Sequence, residues 1–290
     1  MNIKRRLDKV YTPASQPGFL GRGHSARPVI QIDFADSDPF ILLMDDILDK
    51  QDDAPVGGPH PHAGFETVSL MLEGEMGEEP HMMRAGDFEM MTAGQGIVHT
   101  ETISRRTKMR LLQLWLNLPK EKRHALPRIQ RLESAHVPKV SANGIDISVY
   151  SGTFAGLSSP VRNHTPVTIA TVAMEPHKSL AQVIPANFNT FLYVINGNVR
   201  VGEEATLLSK DQVGWLDLRD EKIDSELIVV TGNEGARFVM YSGEPQKHHI
   251  VSHGPFIADS MEEIKQLYAD FRKGKMDHIS NVAEEQRLVS

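Results

Sequence analysis

Short apolar segments, each closed by Gly, Pro, Asn or Asp, recur from Val29 to Ser242. Segments this short, alternating or β-branched and separated by turn residues, read as strands of a sandwich or barrel. In the first half the expected strands are 29–34, 40–44 (stopped by Asp45-Asp46), 65–72, 88–92, 97–103 and 109–118. In 109–118 the alternation from Leu112 onward predicts one buried face and no functional role. A charged, proline-rich bridge, 119–138, follows and forms the natural boundary. The second half repeats the pattern at 145–150, 167–174, 191–195, 199–201, 213–218, 227–231 and 237–242, with Asn196-Gly197 read as a hairpin turn. The expectation is therefore an all-β chain with one barrel in residues 1–134, a second in 135–258, and a tail in 259–290. A chain of 290 residues is long enough for two such cores.

The tail breaks the β pattern. Ser260 and Glu263 have capping-box spacing, Ile264, Leu267, Tyr268 and Phe271 recur at helical spacing, and Gly274 stops the run. This predicts one helix with a packing face, followed by a polar end that is loose or draped over the first half.

Chemistry concentrates between Gly57 and Thr102. His60 and His62 stand at one end, and His99 and Glu101 at the other. Residues i and i+2 of a strand share a face about 6.8 Å apart, so two neighbouring strands could aim three imidazoles and a carboxylate at one point. A divalent metal accepts such ligands and keeps positions open for water or substrate. A single His-x-His pair is weak evidence, since histidines flanked by proline usually sit in exposed loops. Two pairs in a frame rich in Gly and Pro favour metal. Glu66 has the same parity as His60 and His62 in an unbroken strand, and so is a second candidate carboxylate. In the second half His164 and His177 are isolated, and the adjacent His248 and His249 would face opposite ways in a strand. All four are expected to be structural or on the surface.

A net charge of −7 and the absence of a basic run disfavour direct nucleic-acid binding. There is no cysteine, so disulfide and thiolate chemistry are excluded. No apolar run reaches the ~18 residues of a membrane span, and no secretory signal is visible, so a cytoplasmic location is expected.

Pro-His-Pro-His-Ala-Gly-Phe-Glu-Thr-Val (59–68) and Met-Thr-Ala-Gly-Gln-Gly-Ile-Val-His-Thr-Glu (91–101) resemble the pirin family of the cupin superfamily. Leu-Gln-Leu-Trp-Leu-Asn-Leu-Pro (112–119), Ser-Gly-Glu-Pro (242–245) and His-Gly-Pro-Phe-Ile-Ala-Asp-Ser-Met-Glu-Glu-Ile (253–264) support the resemblance in the expected order. It implies a bicupin: two tandem jelly-roll β-barrels with a short C-terminal helix. It also implies one divalent metal in the N-terminal barrel, typically Fe(II), with His60, His62, His99 and Glu101 as ligands and Glu66 orienting a histidine. Residues alone leave iron, zinc, manganese and nickel open. One departure is the short acidic connection 73–86, which holds Glu75, Glu78, Glu79 and His81. Most pirins carry a longer hairpin there, and His81 is expected to be exposed.

The resemblance implies a flavonol dioxygenase of the quercetin 2,3-dioxygenase type, acting on a flavonol or a related enol or catechol together with dioxygen. Glu101 or Glu66 would accept the substrate's hydroxyl proton. The alternative is a non-catalytic, redox-sensing pirin that regulates through a protein partner. A third reading is a vestigial cupin with incidental metal, which the complete ligand pattern weakens.

Overall fold

The computed structural model describes residues 3–77 and 82–289. His81, Glu78 and Glu79 of the acidic connection lie outside the described residues. Strands dominate, and contacts divide the chain into two units. One comprises residues 15–30, 40–136 and 246–290. The other comprises the chain up to Ala14 together with 31–39 and 137–245.

In the first unit an eight-stranded sheet runs in the order Arg287–Val289, Arg128–Leu132, Phe88–Thr92, Phe65–Glu73, Thr107–Asn117, Phe40–Lys50, His24–Pro28 and Gln16–Pro17. A separate two-stranded sheet pairs Pro59–His62 with Ile97–Thr100. The 40–44 segment does not stop at the two aspartates but continues to Lys50. The reason is electrostatic. Arg110 on the neighbouring strand binds Asp45 through Nε to Oδ1 at 2.9 Å and Nη2 to Oδ2 at 2.7 Å, and His24 meets Asp46 Oδ1 at 2.9 Å. With both carboxylates partnered, the buried ladder has no reason to end. Residues 29–34 differ in the other direction: beyond Pro28 they form no ladder, and a short helix, Phe34–Ser37, begins there.

In the other unit a ten-stranded sheet includes Leu7–Tyr11 and Ile3–Lys4 from the N-terminal end of the chain. Two long strands, Asn189–Val201 and Asp224–Gly243, replace four shorter expected ones. Asn196-Gly197 is not a hairpin turn. It lies inside the first long strand, flanked by register shifts, with Gly197 at φ +69°. A Cβ there would meet Gly235 O at 1.9 Å, so glycine admits a bulge that lets one strand bend without ending. The core gathers Val172, Leu192, Val194, Leu227, Phe238 and Met240.

The helix Met261–Arg272 forms where its spacing placed it. Ser260 Oγ accepts from Glu263 N at 3.2 Å, and Glu263 Oε2 accepts from Asp259 N at 2.9 Å. Ile264, Leu267 and Tyr268 pack with Phe256, Ala258 and Ala63, while Phe271 is 37% exposed and lies off this face. The helix and tail belong to the same contact unit as the first-half strands. Val98 N donates to Asp277 O at 2.8 Å, and Arg287–Val289 pairs in parallel with Arg128–Leu132.

This packing reaches the histidines. Ile257 N donates to Ala63 O at 3.0 Å, directly after His62. Gly64, at φ +85°, lies so close that a Cβ would meet Ile257 O at 1.8 Å. Gly64→Ala is expected to destabilise the fold by about 3 kcal/mol, combining left-handed backbone strain with overpacking. Urea unfolding of the variant beside the wild type measures it.

Candidate metal centre

Antiparallel register builds the site. His60 stands opposite His99, and His62 opposite Ile97. His60 and His62 therefore share one strand face with His99, as period-two geometry requires. The ring centroids of His60, His62 and His99 lie 4.2–4.9 Å apart. One ligand atom from each falls within 4.8 Å of the others. Among the described residues this is the one grouping of such side chains. Glu101, two residues beyond His99, brings Oε2 to 3.9 Å from His60 Nε2.

Ring orientation favours a cation. His60 Nδ1 donates to Gly58 O at 2.8 Å, which leaves the Nε2 lone pair facing His99 Nε2 at 2.7 Å. Fixing one ring nitrogen to a backbone carbonyl is how proteins orient the other toward a metal. His62 Nδ1 is buried with no hydrogen-bond partner. Burial, and then His60, hold the His62 imidazolium down to a pKa of about 3. Burial, and then His62, His60 and His278, push His99 well below the usual imidazole range. Burial is the largest cause in both, and it leaves His62 and His99 as neutral donors. Desolvation, followed by the charges of Glu89 and Asp46, pushes Glu101 up to about 7. An unpartnered His62 nitrogen, the neutral His62 and His99 rings and an adjacent carboxyl that resists ionisation fit a divalent cation.

Glu66 is not brought into this cluster. The chain breaks at Ala63-Gly64, so the parity that linked Glu66 to His62 is lost. Phe65 and Trp115 touch His62, with centroids 5.2 and 5.3 Å away. Glu66, next to Phe65 in its strand, faces the opposite side of the sheet. There its Oε1 accepts from Thr92 Oγ1 at 2.6 Å and lies 3.5 Å from Arg128. Burial raises its pKa, opposed by Thr92 and Arg128.

The centre opens into a cavity of about 700 Å³ whose wall includes His99, Glu101, Met76, Met83, Met91 and Ile129. That volume suits a small organic ligand. The tail supplies His278, Ile279, Ser280 and Arg287 to the same wall. Ser280 N donates to His278 Nδ1 at 3.2 Å, so the neutral ring carries its proton on Nε2, which meets Thr100 Oγ1 at 2.9 Å. Trp115, Glu89, Arg131 and the tail were not singled out as site residues from the sequence. For Trp115 the signal was present: in 109–118 the face that alternates away from the leucines is the one that reaches His62. His164 is half-buried, and His177, His248 and His249 are exposed.

A β architecture in two units, with one histidine centre opening into a cavity, defines a cupin-type protein with two cupin domains. Residues 21–116 match the family profile described as Pirin, and 169–277 match the Pirin C-terminal cupin domain. The chain is 35% identical to human Pirin over 245 residues, covering 82% of each chain. It is 32% identical over 256 residues to a Pseudomonas aeruginosa protein provisionally named a quercetin 2,3-dioxygenase, covering 82% of this chain and 86% of the other. A crystal structure of quercetin 2,3-dioxygenase from Acinetobacter baumannii shares the fold, with TM-score 0.79, 22% identity and coverage of 95% and 99%. The chain belongs to the pirin family, whose members typically bind a metal. No helix among the described residues is long and apolar enough to cross a membrane.

The Glu101 shift predicts that a metal bound at this centre would bind in a pH-dependent way. Below pH 7 the carboxyl holds a proton that a neighbouring cation must expel, so apparent affinity rises with pH through 7. Calorimetry in buffers of different ionisation enthalpy is expected to show release of about half a proton at pH 7 and close to none at pH 8.5. His62 adds nothing in that window because its imidazole is already neutral.

Proposed function

We propose that this pirin is a metal-dependent dioxygenase of the quercetin 2,3-dioxygenase type, which oxidises a flavonol or a related enol or catechol. The observation that carries the reading is the cluster of three imidazoles with Glu101 beside it, of which His99 and Glu101 line a substrate-sized cavity. The P. aeruginosa relative's name supports the substrate class.

His60, His62, His99 and Glu101 would hold the ion. A bound divalent metal supplies Lewis acidity and, as Fe(II), passes electron density between a substrate anion and dioxygen. Iron is the proposed metal, with zinc, manganese and nickel compatible with the same donors. The protein's own residues do the rest. Glu101, beside the histidines and in the cavity wall, is the group placed to take up the substrate's hydroxyl proton. Met91, Ile129 and Ile279 present apolar surface to an aromatic ring and restrict water. Trp115 and Phe65 hold the His62 ring by edge contacts. Glu66, turned to the other sheet face, has no direct part in either ligation or proton transfer.

Two measurements test this. Protein loaded anaerobically with Fe(II) is expected to consume oxygen when given flavonols or catechols, and His62→Ala is expected to abolish the uptake. An iron-loaded wild type that consumes none with any of them sinks the oxygenase reading. Separately, Glu101→Ala is expected to weaken divalent-metal affinity on the order of 100-fold, while Glu66→Gln stays within about threefold. Metal titration followed by calorimetry distinguishes them, and the reverse order would overturn the ligand assignment.

A further inference from the structure

Sheet register shows which side chains share the cavity face with the centre. Trp115, which touches His62, stands opposite Thr67; Thr67 stands opposite Met91, and Met91 opposite Ile129. Two residues further along the same strands the rung is Gln113, Ser69, Glu89 and Arg131. Alternation puts this second rung on the same face, about 6.8 Å farther from His62. Ser69, Glu89 and Arg131 line the cavity together. A polar rung beside Met76, Met83 and Met91 is costly to bury unless each polar atom finds a partner.

The rung carries a charge pair of defined geometry. Arg131 Nε and Nη2 both donate to Glu89 Oε2, at 3.0 and 2.9 Å. Glu89 Oε1 makes no hydrogen bond to the described residues. Arg131 thus balances the carboxylate charge and fixes its plane, while one acceptor oxygen is left to the cavity. A carboxylate accepts and never donates, so the complementary ligand group is a donor, and on an aromatic ligand that is a hydroxyl.

We propose that Glu89, oriented by Arg131, binds a hydroxyl at the end of the substrate remote from the histidine centre. The site would then select planar phenols that carry hydroxyls at both ends. This inference rests on the flavonol reading above and narrows it to a substrate class.

The test is a binding titration that needs no turnover. Protein loaded with Zn(II) is titrated with three flavonols bearing two, one or no hydroxyls on the pendant ring. Wild type is expected to bind the dihydroxylated flavonol about tenfold or more tighter than the unhydroxylated one, as a charge-assisted hydrogen bond would give. Glu89→Gln with Arg131→Gln, which removes both charges together, is expected to bring the three within about twofold and to leave the unhydroxylated flavonol unchanged. Glu89→Asp, which keeps the charge pair and withdraws the acceptor by one methylene, is expected to lose part of the preference. Discrimination that persists in the double variant or is complete in Glu89→Asp overturns the assignment, as does equal weakening of all three ligands. Wild type that binds all three equally overturns this inference alone. Wild type that binds none overturns the flavonol reading with it.

Discussion

Four residue pairs between Pro59–His62 and Ile97–Thr100 decide whether this protein has a centre. A slip of one residue would turn His99 to the other face and leave two imidazoles without a third. The register is clamped at both ends. Val56 and Ile103 exchange backbone hydrogen bonds of 3.1 and 2.9 Å on one side, and Gly64 N donates to Gly94 O at 2.7 Å on the other. The C-terminal segment adds a third restraint, because Val98 uses its remaining amide to reach Asp277. A ribbon of only four pairs gains little stability alone. It is held here by contacts from residues 179 to 194 positions further along the chain, chiefly Asp277 against Val98 and Ile257 against Ala63.

Burying His62 and His99 beside a carboxyl imposes a second constraint. Without a cation, these groups are driven toward their neutral forms: His62 and His99 lose their protons and Glu101 retains one. Those are opposite shifts with one cause, withdrawal from water, and they are reinforced by like neighbours on each side. A divalent ion reverses the preference only of the carboxyl. His62 and His99 are already in the state that a metal requires, so neither exchanges a proton on binding near neutral pH, whereas Glu101 does.

The grouping of three histidines and most strands are legible in the sequence because each depends on a two-residue repeat that survives folding unchanged. The features that were missed depend on partners distant in sequence. Asp45-Asp46 reads as a strand end because Arg110 and His24, which partner the two carboxylates, lie on other strands. Asn196-Gly197 looked like a turn, but the dipeptide permits a bulge equally well, and only pairing along the whole of Asp224–Gly243 selects between them. Glu66 was misplaced by extending the His60–His62 parity across Gly64, where the backbone turns. Leu112 to Leu118 was read as core, which is right for the leucines, but Trp115 and Gln113 between them belong to the cavity face.

The strand Phe65–Glu73 shows why Glu66 and Glu101, both candidate carboxylates in the sequence, are placed differently. Its odd-numbered residues Phe65, Thr67 and Ser69 face the histidines and the cavity; its even-numbered Glu66, Val68 and Leu70 do not. Glu66 is completely buried, with one oxygen on Thr92 and near Arg128 and the other without a partner, so burial raises its pKa. On the cavity face, the carboxylates Glu89 and Glu101 come instead from neighbouring segments, and their mutual repulsion contributes to the Glu101 shift. A third carboxylate turned toward them would raise that repulsion further and compete for the cation. The turn at Gly64 prevents this: it carries the chain from the histidine ribbon into the main sheet with Glu66 directed away, so the centre keeps a single adjacent carboxyl.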